Sequence, residues 1–336
     1  MPQDMLRFDA AINPYGCSPR VVETLVEFAR SREYRHYGEE RADSLREQLA
    51  AHLGLQPSNL LVYNGTGEAL VWLFLARLLL PQGRLLLPHP SYERFAMAGK
   101  RCAAEVVEVP LDPGDFSLPV EELIETGRQH QVAVALLSSP NNPTGNLLLD
   151  PSSLARLLDG LPECLWIVDE AYADYPGISF APQVLQRPNL VVLRTFSKAY
   201  GLAGLRVGYA VAHETLAQRL AQFQIPWAVN SLSLAAARAA LEDQGYLREV
   251  VARIRADCAQ FHAALSAVPL FERVYRSDAN FFLAELKTME ASVLKARLEE
   301  RQIRVRIRPD LPRHVRITCL TPAENQRLLE ALKELG

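Results

Sequence analysis

The side chains best suited to chemistry in this 336-residue chain gather in four short segments, each following an apolar run of strand length. After Leu60–Tyr63 come Gly65, Thr66 and Gly67, at the predicted start of a helix, where small residues leave backbone N–H groups free to hold a phosphate. After Val132–Leu137 come Asn141, Asn142, Pro143, Thr144 and Gly145, and after Leu165–Val168 come Asp169 and Tyr172. After Leu190–Arg194 come Thr195, Ser197 and Lys198, with Arg206 eight residues further on. Taken singly, each is common structure: a glycine turn, an Asn-Pro turn, a carboxylate capping a helical turn, a solvated lysine loop.

Placed at one edge of one sheet, the same groups supply what pyridoxal phosphate needs. Its aldehyde needs a lysine amine, and its ring nitrogen needs an anion that keeps it protonated so the ring can act as an electron sink. The phenolic oxygen needs donors such as Asn and Tyr, and the phosphate needs a helix N-terminus with an arginine. Tyr92, in PSYE after Arg84–Leu87, can supply a stacking face, although a tyrosine after a strand is also ordinary packing.

One edge is what the surrounding pattern predicts. Short apolar runs alternate with turns and helical stretches, implying parallel βα units, a sheet covered on both faces, and ligands bound beyond the carboxyl ends of the strands. Val207–Ala212 is a further strand, and Ala69–Pro81 reads as a buried helix too short to span a membrane at ~20 residues. From about Trp227 the pattern becomes long helices over Asn230–Ala267, strands at Asn280–Glu285, Ile303–Arg308 and His314–Thr318, and helices near Ala291–Gln302 and from Pro322. This is a second, smaller α/β unit.

Apolar residues make up 49% and charged residues 22%, which suits a packed core and excludes disorder. With 36 Lys and Arg against 39 Asp and Glu, the net charge of −3 offers no field for nucleic acid or an anionic membrane. Five scattered cysteines (Cys17, Cys102, Cys164, Cys258, Cys319) draw neither a disulfide framework nor a CxxC metal site, so free thiols in the cytoplasm and no metal are expected. The N-terminal stretch has no basic run leading into an apolar one, so no secretory signal is expected. Leu70 stands where GxGxxG needs its last glycine, and GxxxxGK[ST], GxSxG and HExxH are absent.

The segments SSPNNPTG, IVDEAY and LRTFSKAYGLAGLRVGYAVA together resemble the fold type I pyridoxal-phosphate aminotransferases, in particular the histidinol-phosphate aminotransferase branch, from INPYG to RITCLTPAEN. The resemblance implies a three-layer α/β fold with a mostly parallel central sheet and a second, smaller α/β domain. Residues 1–35 would join the small domain, 36–228 would form the large cofactor-binding domain, and 229–336 the small C-terminal domain. It makes Lys198 the Schiff-base lysine, Asp169 the partner of the ring nitrogen, Tyr172 and Asn142 the partners of the phenolic oxygen, and Tyr92 the stacking ring. Thr66, Gly67, Thr195, Ser197 and Arg206 would take the phosphate. Tyr37 would reach the phosphate of a neighbouring subunit, in a homodimer with shared active sites. On the substrate side it points to Arg316, Arg306 and Tyr15. Arg304, Arg306 and Arg308 also alternate as on any half-exposed strand, and Tyr15 also reads as a cap over the core.

Departures sit near the substrate. The family's Asn-Glu-Asn-Pro is Ala11-Ile12-Asn13-Pro14, its Gly-Ser-Asp-Glu is Gly65-Thr66-Gly67-Glu68, its Tyr-Pro-Asp-Pro is Tyr37-Gly38-Glu39-Glu40, and Leu320 replaces a usual Gly. Ile12-Asn13-Pro14 and IPWAVNSLS are similar to threonine-phosphate decarboxylases, so a lyase is the alternative to an aminotransferase. A binding-only relative would have no need of both Lys198 and Asp169. The expected reaction moves an amino group between an anionic, histidinol-phosphate-like amino substrate and a 2-oxo acid such as 2-oxoglutarate.

Overall fold

The computed structural model describes residues 5–78, 83–102 and 104–336. Strand β1 (Leu6–Arg7) leads into helices α1 (Pro19–Ser31) and α2 (Asp43–Leu53), and the large sheet begins at β2 (Leu60–Tyr63). It continues through α3 (Thr66–Leu78), β3 (Arg84–His89), α4 (Glu93–Arg101), β4 (Glu105–Pro110), α5 (Val120–Gln129), β5 (Val134–Ser138), α6 (Pro151–Gly160), β6 (Leu165–Asp169), β7 (Leu190–Thr195) and β8 (Gly208–Ala212). The seven strands lie in the order β2-β8-β7-β6-β5-β3-β4. All neighbours run parallel except β8, which is antiparallel to both β2 and β7. Residues 79–81 of the expected apolar helix lie outside the described residues.

Side-chain alternation splits the strands between two cores. Leu60, Val62, Leu86, Ala135, Leu137, Trp166, Val168 and Val192 face one layer, where α1, α2, α5, α6 and α8 (Ser231–Glu242) pack. Leu61, Tyr63, Leu85, Leu87, Val134, Leu136, Ile167 and Val191 face the other, under α3, α4 and α7 (Glu214–Ala221). With both faces covered, the central strands are buried from end to end, as in LWIVD of β6.

The smaller unit holds α9 (Gln244–Ser266), β9 (Phe271–Val274), β10 (Phe281–Leu286), α10 (Ala291–Glu299), β11 (Ile303–Arg304), β12 (Arg306–Ile307), β13 (His314–Thr318) and α11 (Pro322–Leu335). Its antiparallel sheet has the order β12-β13-β10-β9, while β11 pairs with β1. Leu6 and Phe8 join its core, whereas Val21 of α1 packs into the core of the large sheet. Helix α8, beyond the expected boundary at 228, also buries Leu234, Ala236 and Ala237 in the large core.

The single strand expected over Ile303–Arg308 is corrected by the structure. Val305 is buried between two short strands that belong to different sheets. Strands β4 and β9 were not expected, because both are sheet edges diluted by charge: EVVEVP and FERV. The five cysteines are free. The neighbouring Cys319 thiol, distant in sequence, and burial raise the Cys258 thiol well above its ordinary range. Among the described residues no helix is long and apolar enough to cross a membrane.

Candidate active site

The carboxyl ends of β5, β6 and β7, the start of α3, residues 9–12 and the strands β12 and β13 enclose a cavity of about 410 Å³. Lys198, Asp169, Tyr172, Asn142, Tyr92, Thr66, Thr195, Ser197, Arg206, Arg306 and Arg316 all line it. Gly67, Tyr37 and Tyr15 do not.

Asp169 ends β6, buried, with Oδ1 accepting a 3.0 Å hydrogen bond from Ala171 N–H. Burial pushes its carboxyl up to about 6, against the pull of that bond and of the Lys198 charge. Such a carboxylate gains most from a cation placed against it. Lys198 stands on the turn after β7; its Nζ donates to the Ala11 carbonyl at 3.0 Å and lies 5.1 Å from the Tyr172 ring centroid. That turn is fixed from the N-terminal side. Asn13 Nδ2 donates to the Ala199 carbonyl at 2.8 Å, and a Cβ on Gly201 (φ +74°) would stand 2.6 Å from the Gly16 carbonyl carbon.

At the other end of the cavity is a seat for an anion. Gly65 (φ +81°) lets Arg206 lie across the start of α3: a Cβ there would come within 2.4 Å of Arg206 Nη2. A Cβ on Gly208 would meet the Thr66 nitrogen at 2.8 Å. Arg206 Nη1 donates to the Ala203 carbonyl at 3.1 Å and to Ser197 Oγ at 3.3 Å. Thr195 Oγ1 accepts from Ser197 N–H at 3.0 Å. Guanidinium, hydroxyls and helix N-terminus thus converge as a phosphate requires. Gly67 has open space around its Cβ position, so it can contribute through its backbone alone.

Arg316, on β13, is buried among neutral acceptors. Nη1 donates to Asn142 Oδ1 at 2.8 Å and Nη2 to the Asp9 carbonyl at 2.6 Å, while Nε has no partner. Burial lowers its pKa, and no carboxylate among the described residues forms an ion pair with it. Asn142 Nδ2 in turn donates to Tyr172 Oη at 3.4 Å. A buried cation without an anion is costly, and one facing a cavity would gain from an anionic ligand placed there.

Tyr15 is engaged elsewhere: its Oη donates to Asp257 at 2.6 Å and Arg253 lies 3.9 Å from its ring centroid. Burial and that hydrogen bond push its hydroxyl up to about 12. Tyr37 is 87% exposed and rests on Trp227, centroid to centroid 5.4 Å. Sequence reasoning overlooked Asp9, Glu93, Arg94, Arg308 and His314, which also line the cavity. The alternation of Arg304, Arg306 and Arg308 was a signal for the arginine. The break at Val305 separates Arg304, paired with Glu299, from the two that reach the cavity.

The aminotransferase class I and II family profile matches residues 3–332. The chain belongs to that family. This aminotransferase is 36% identical to the histidinol-phosphate aminotransferase of Roseiflexus castenholzii (strain DSM 13941 / HLO8), over 99% of its own length and 90% of the relative's. A histidinol-phosphate aminotransferase from Sinorhizobium meliloti, solved in complex with pyridoxal-5'-phosphate, has a TM-score of 0.88 and 26% identity, covering 97% of this chain and 89% of that one. The L-threonine-O-3-phosphate decarboxylase of Porphyromonas gingivalis has a TM-score of 0.83 and 30% identity, covering 98% of each chain. This aminotransferase therefore has the fold type I architecture that its motif segments resemble.

Proposed function

We propose that this enzyme, with pyridoxal phosphate on Lys198, moves an amino group between an anionic, histidinol-phosphate-like amino substrate and a 2-oxo acid such as 2-oxoglutarate. The observation that carries the reading is Arg316: a buried, unpaired guanidinium joined through Asn142 and Tyr172 to the chamber of Lys198 and Asp169. When bound, the cofactor supplies an aldehyde for the substrate amine and an electron-withdrawing ring that accepts the electron pair left at Cα. Asp169 would hold its negative charge against the ring nitrogen, and Asn142 and Tyr172 would donate to the phenolic oxygen. Arg206, Ser197, Thr195 and the first turn of α3, with Thr66 and Gly67, would anchor the phosphate. Arg316 would orient the substrate by its anionic group, and Lys198 Nζ would move the proton at the substrate Cα.

The likeness to the decarboxylase sustains one second reading, loss of carboxylate from Cα at the same site. A half-reaction screen separates them. Histidinol phosphate, glutamate and threonine phosphate are each mixed with the yellow holoenzyme, with carbon dioxide measured in parallel. The expected result is bleaching by histidinol phosphate and glutamate without carbon dioxide; carbon dioxide from threonine phosphate would transfer the assignment to the lyase. In the same screen, Arg316→Lys should lose at least ~10-fold in kcat/KM for donor and acceptor alike, because lysine lacks the planar two-pronged contact. Its cofactor content should be unchanged, since Arg206, Ser197 and the start of α3 would hold the phosphate at the other end of the cavity.

On this reading the chain divides into a cofactor-binding domain over 36–228, a small domain over 229–336 and an N-terminal segment 1–35 that joins the small domain, with α8 lending its buried face to the large core. Tyr37 on Trp227, which is 46% exposed, forms an exposed aromatic pair suited to a second copy of the chain. We read the enzyme as a cytoplasmic homodimer in which Tyr37 reaches the neighbouring phosphate. A fully active monomer in sedimentation velocity would overturn the dimer.

A further inference from the structure

Two arginines at the substrate end of the cavity are held in different ways. Arg308 is 12% exposed; its Nε donates to Asp310 Oδ1 at 2.9 Å, its Nη2 to Asp310 Oδ2, and its Nη1 to the Ser91 carbonyl. Arg306, on β12, is 43% exposed and pairs with Glu93, itself 29% exposed. The two contacts fall on either side of Tyr92, so the small unit grips the segment that carries that ring.

Both grips are partly buried, but the one on Ser91 is made by an arginine also held by an acid, whereas the one on Glu93 joins two side chains that each keep a water-exposed share. An ion pair of the second kind is weak, because solvent screens both charges. Such a pair costs little to exchange for a better acceptor. Glu93 has a place to go when displaced, since it opens helix α4 and the free amides of that first turn favour a carboxylate nearby. The contact of Arg308 with Ser91 does not depend on that pair. Arg316 differs from both, because it has no acid to lose and is ready for an anion at all times.

We propose that Glu93 is a specificity-determining residue. It occupies Arg306 until a substrate brings a second negative charge, and then yields that arginine to the far carboxylate of a dicarboxylic acid or to the second charge of a phosphate ester. A substrate with a neutral far end leaves the pair closed. The inference rests on the reading that Arg316 takes the first anionic group.

The test is calorimetric titration of the holoenzyme with glutarate, methyl phosphate and valerate, none of which has an amine or ketone that could react. Wild-type protein is expected to bind glutarate more tightly than valerate. Glu93→Gln should tighten glutarate about three- to fivefold, the effect of removing a weak competing ion pair, and leave valerate unchanged. Arg306→Gln should bring glutarate down to the level of valerate. A parallel gain for methyl phosphate extends the exchange to phosphate esters; a gain for glutarate alone confines it to carboxylates. A folded Glu93→Gln protein with unchanged affinity for both dianions overturns the proposal and leaves the role of Arg316 intact. Wild-type protein that prefers neither dianion over valerate overturns both.

Discussion

Lys198→Ala abolishes turnover, lowering the rate by at least ~10³-fold, the range expected when a positioned acid-base group is lost. Lys198 is the one lysine among the residues lining the cavity, and its Nζ is held toward the site by the Ala11 carbonyl. Lys100, Lys287, Lys295 and Lys333 are not in the lining. No neighbouring amine can therefore take over the covalent link or the proton at Cα. The variant should still bind pyridoxal phosphate through Arg206, Ser197 and the start of α3, but without the absorption of the lysine-bound form. Borohydride reduction and peptide mapping of the wild-type holoenzyme check the assignment directly. The pyridoxyl group is expected on the peptide containing Lys198, and recovery on any other lysine would refute the site.

Asp169→Asn separates catalysis from stability, and the two effects have opposite signs. A neutral amide cannot hold the ring nitrogen protonated, so kcat should fall by two or more orders of magnitude with the cofactor still bound; near-native turnover excludes the role. The protein stripped of cofactor should instead become more stable. Asp169 has a folded-state pKa of about 6 against an ordinary 3.8, so the unfolded chain releases the proton first as pH rises. Stability is then lost between about pH 4 and 6, and the full penalty, on the order of 2 to 3 kcal/mol, applies above that window. The Asn variant, whose Oδ1 can still accept from Ala171 N–H, escapes the penalty. Chemical denaturation of both stripped proteins at pH 7.5 and pH 4 measures it. A gain at pH 7.5 that vanishes at pH 4 is expected, and an equal difference at both would show that the buried charge is not its source.

The sequence by itself determined the local pieces and their chemistry. Strand β2, the start of β6, strand β13 and the first residue of α11 fall where apolar runs and turn residues place them, because those signals lie within a few adjacent residues. The convergence of the candidate site residues on one cavity was legible for the same reason. Asn142, Asp169, Tyr172, Lys198 and Arg206 each sit in a segment whose strand end and turn are encoded beside them, and parallel strands bring their carboxyl ends to one edge.

The tertiary structure alone decided how distant side chains share out their partners. Arg316 meets Asn142 across a separation of 174 residues, Lys198 meets the Ala11 carbonyl across 187, and Tyr15 is taken by Asp257 across 242. Periodicity carries no record of such pairs, since they depend on where two separately folded surfaces come to rest. The arginines of 304–308 show the limit most plainly. Their spacing is that of one strand, but burial of Val305 splits the run between two sheets, turning Arg304 toward Glu299 and Arg306 toward Glu93. Which of the three arginines reach the cavity depends on the break that the burial of a single apolar side chain, Val305, makes in the run.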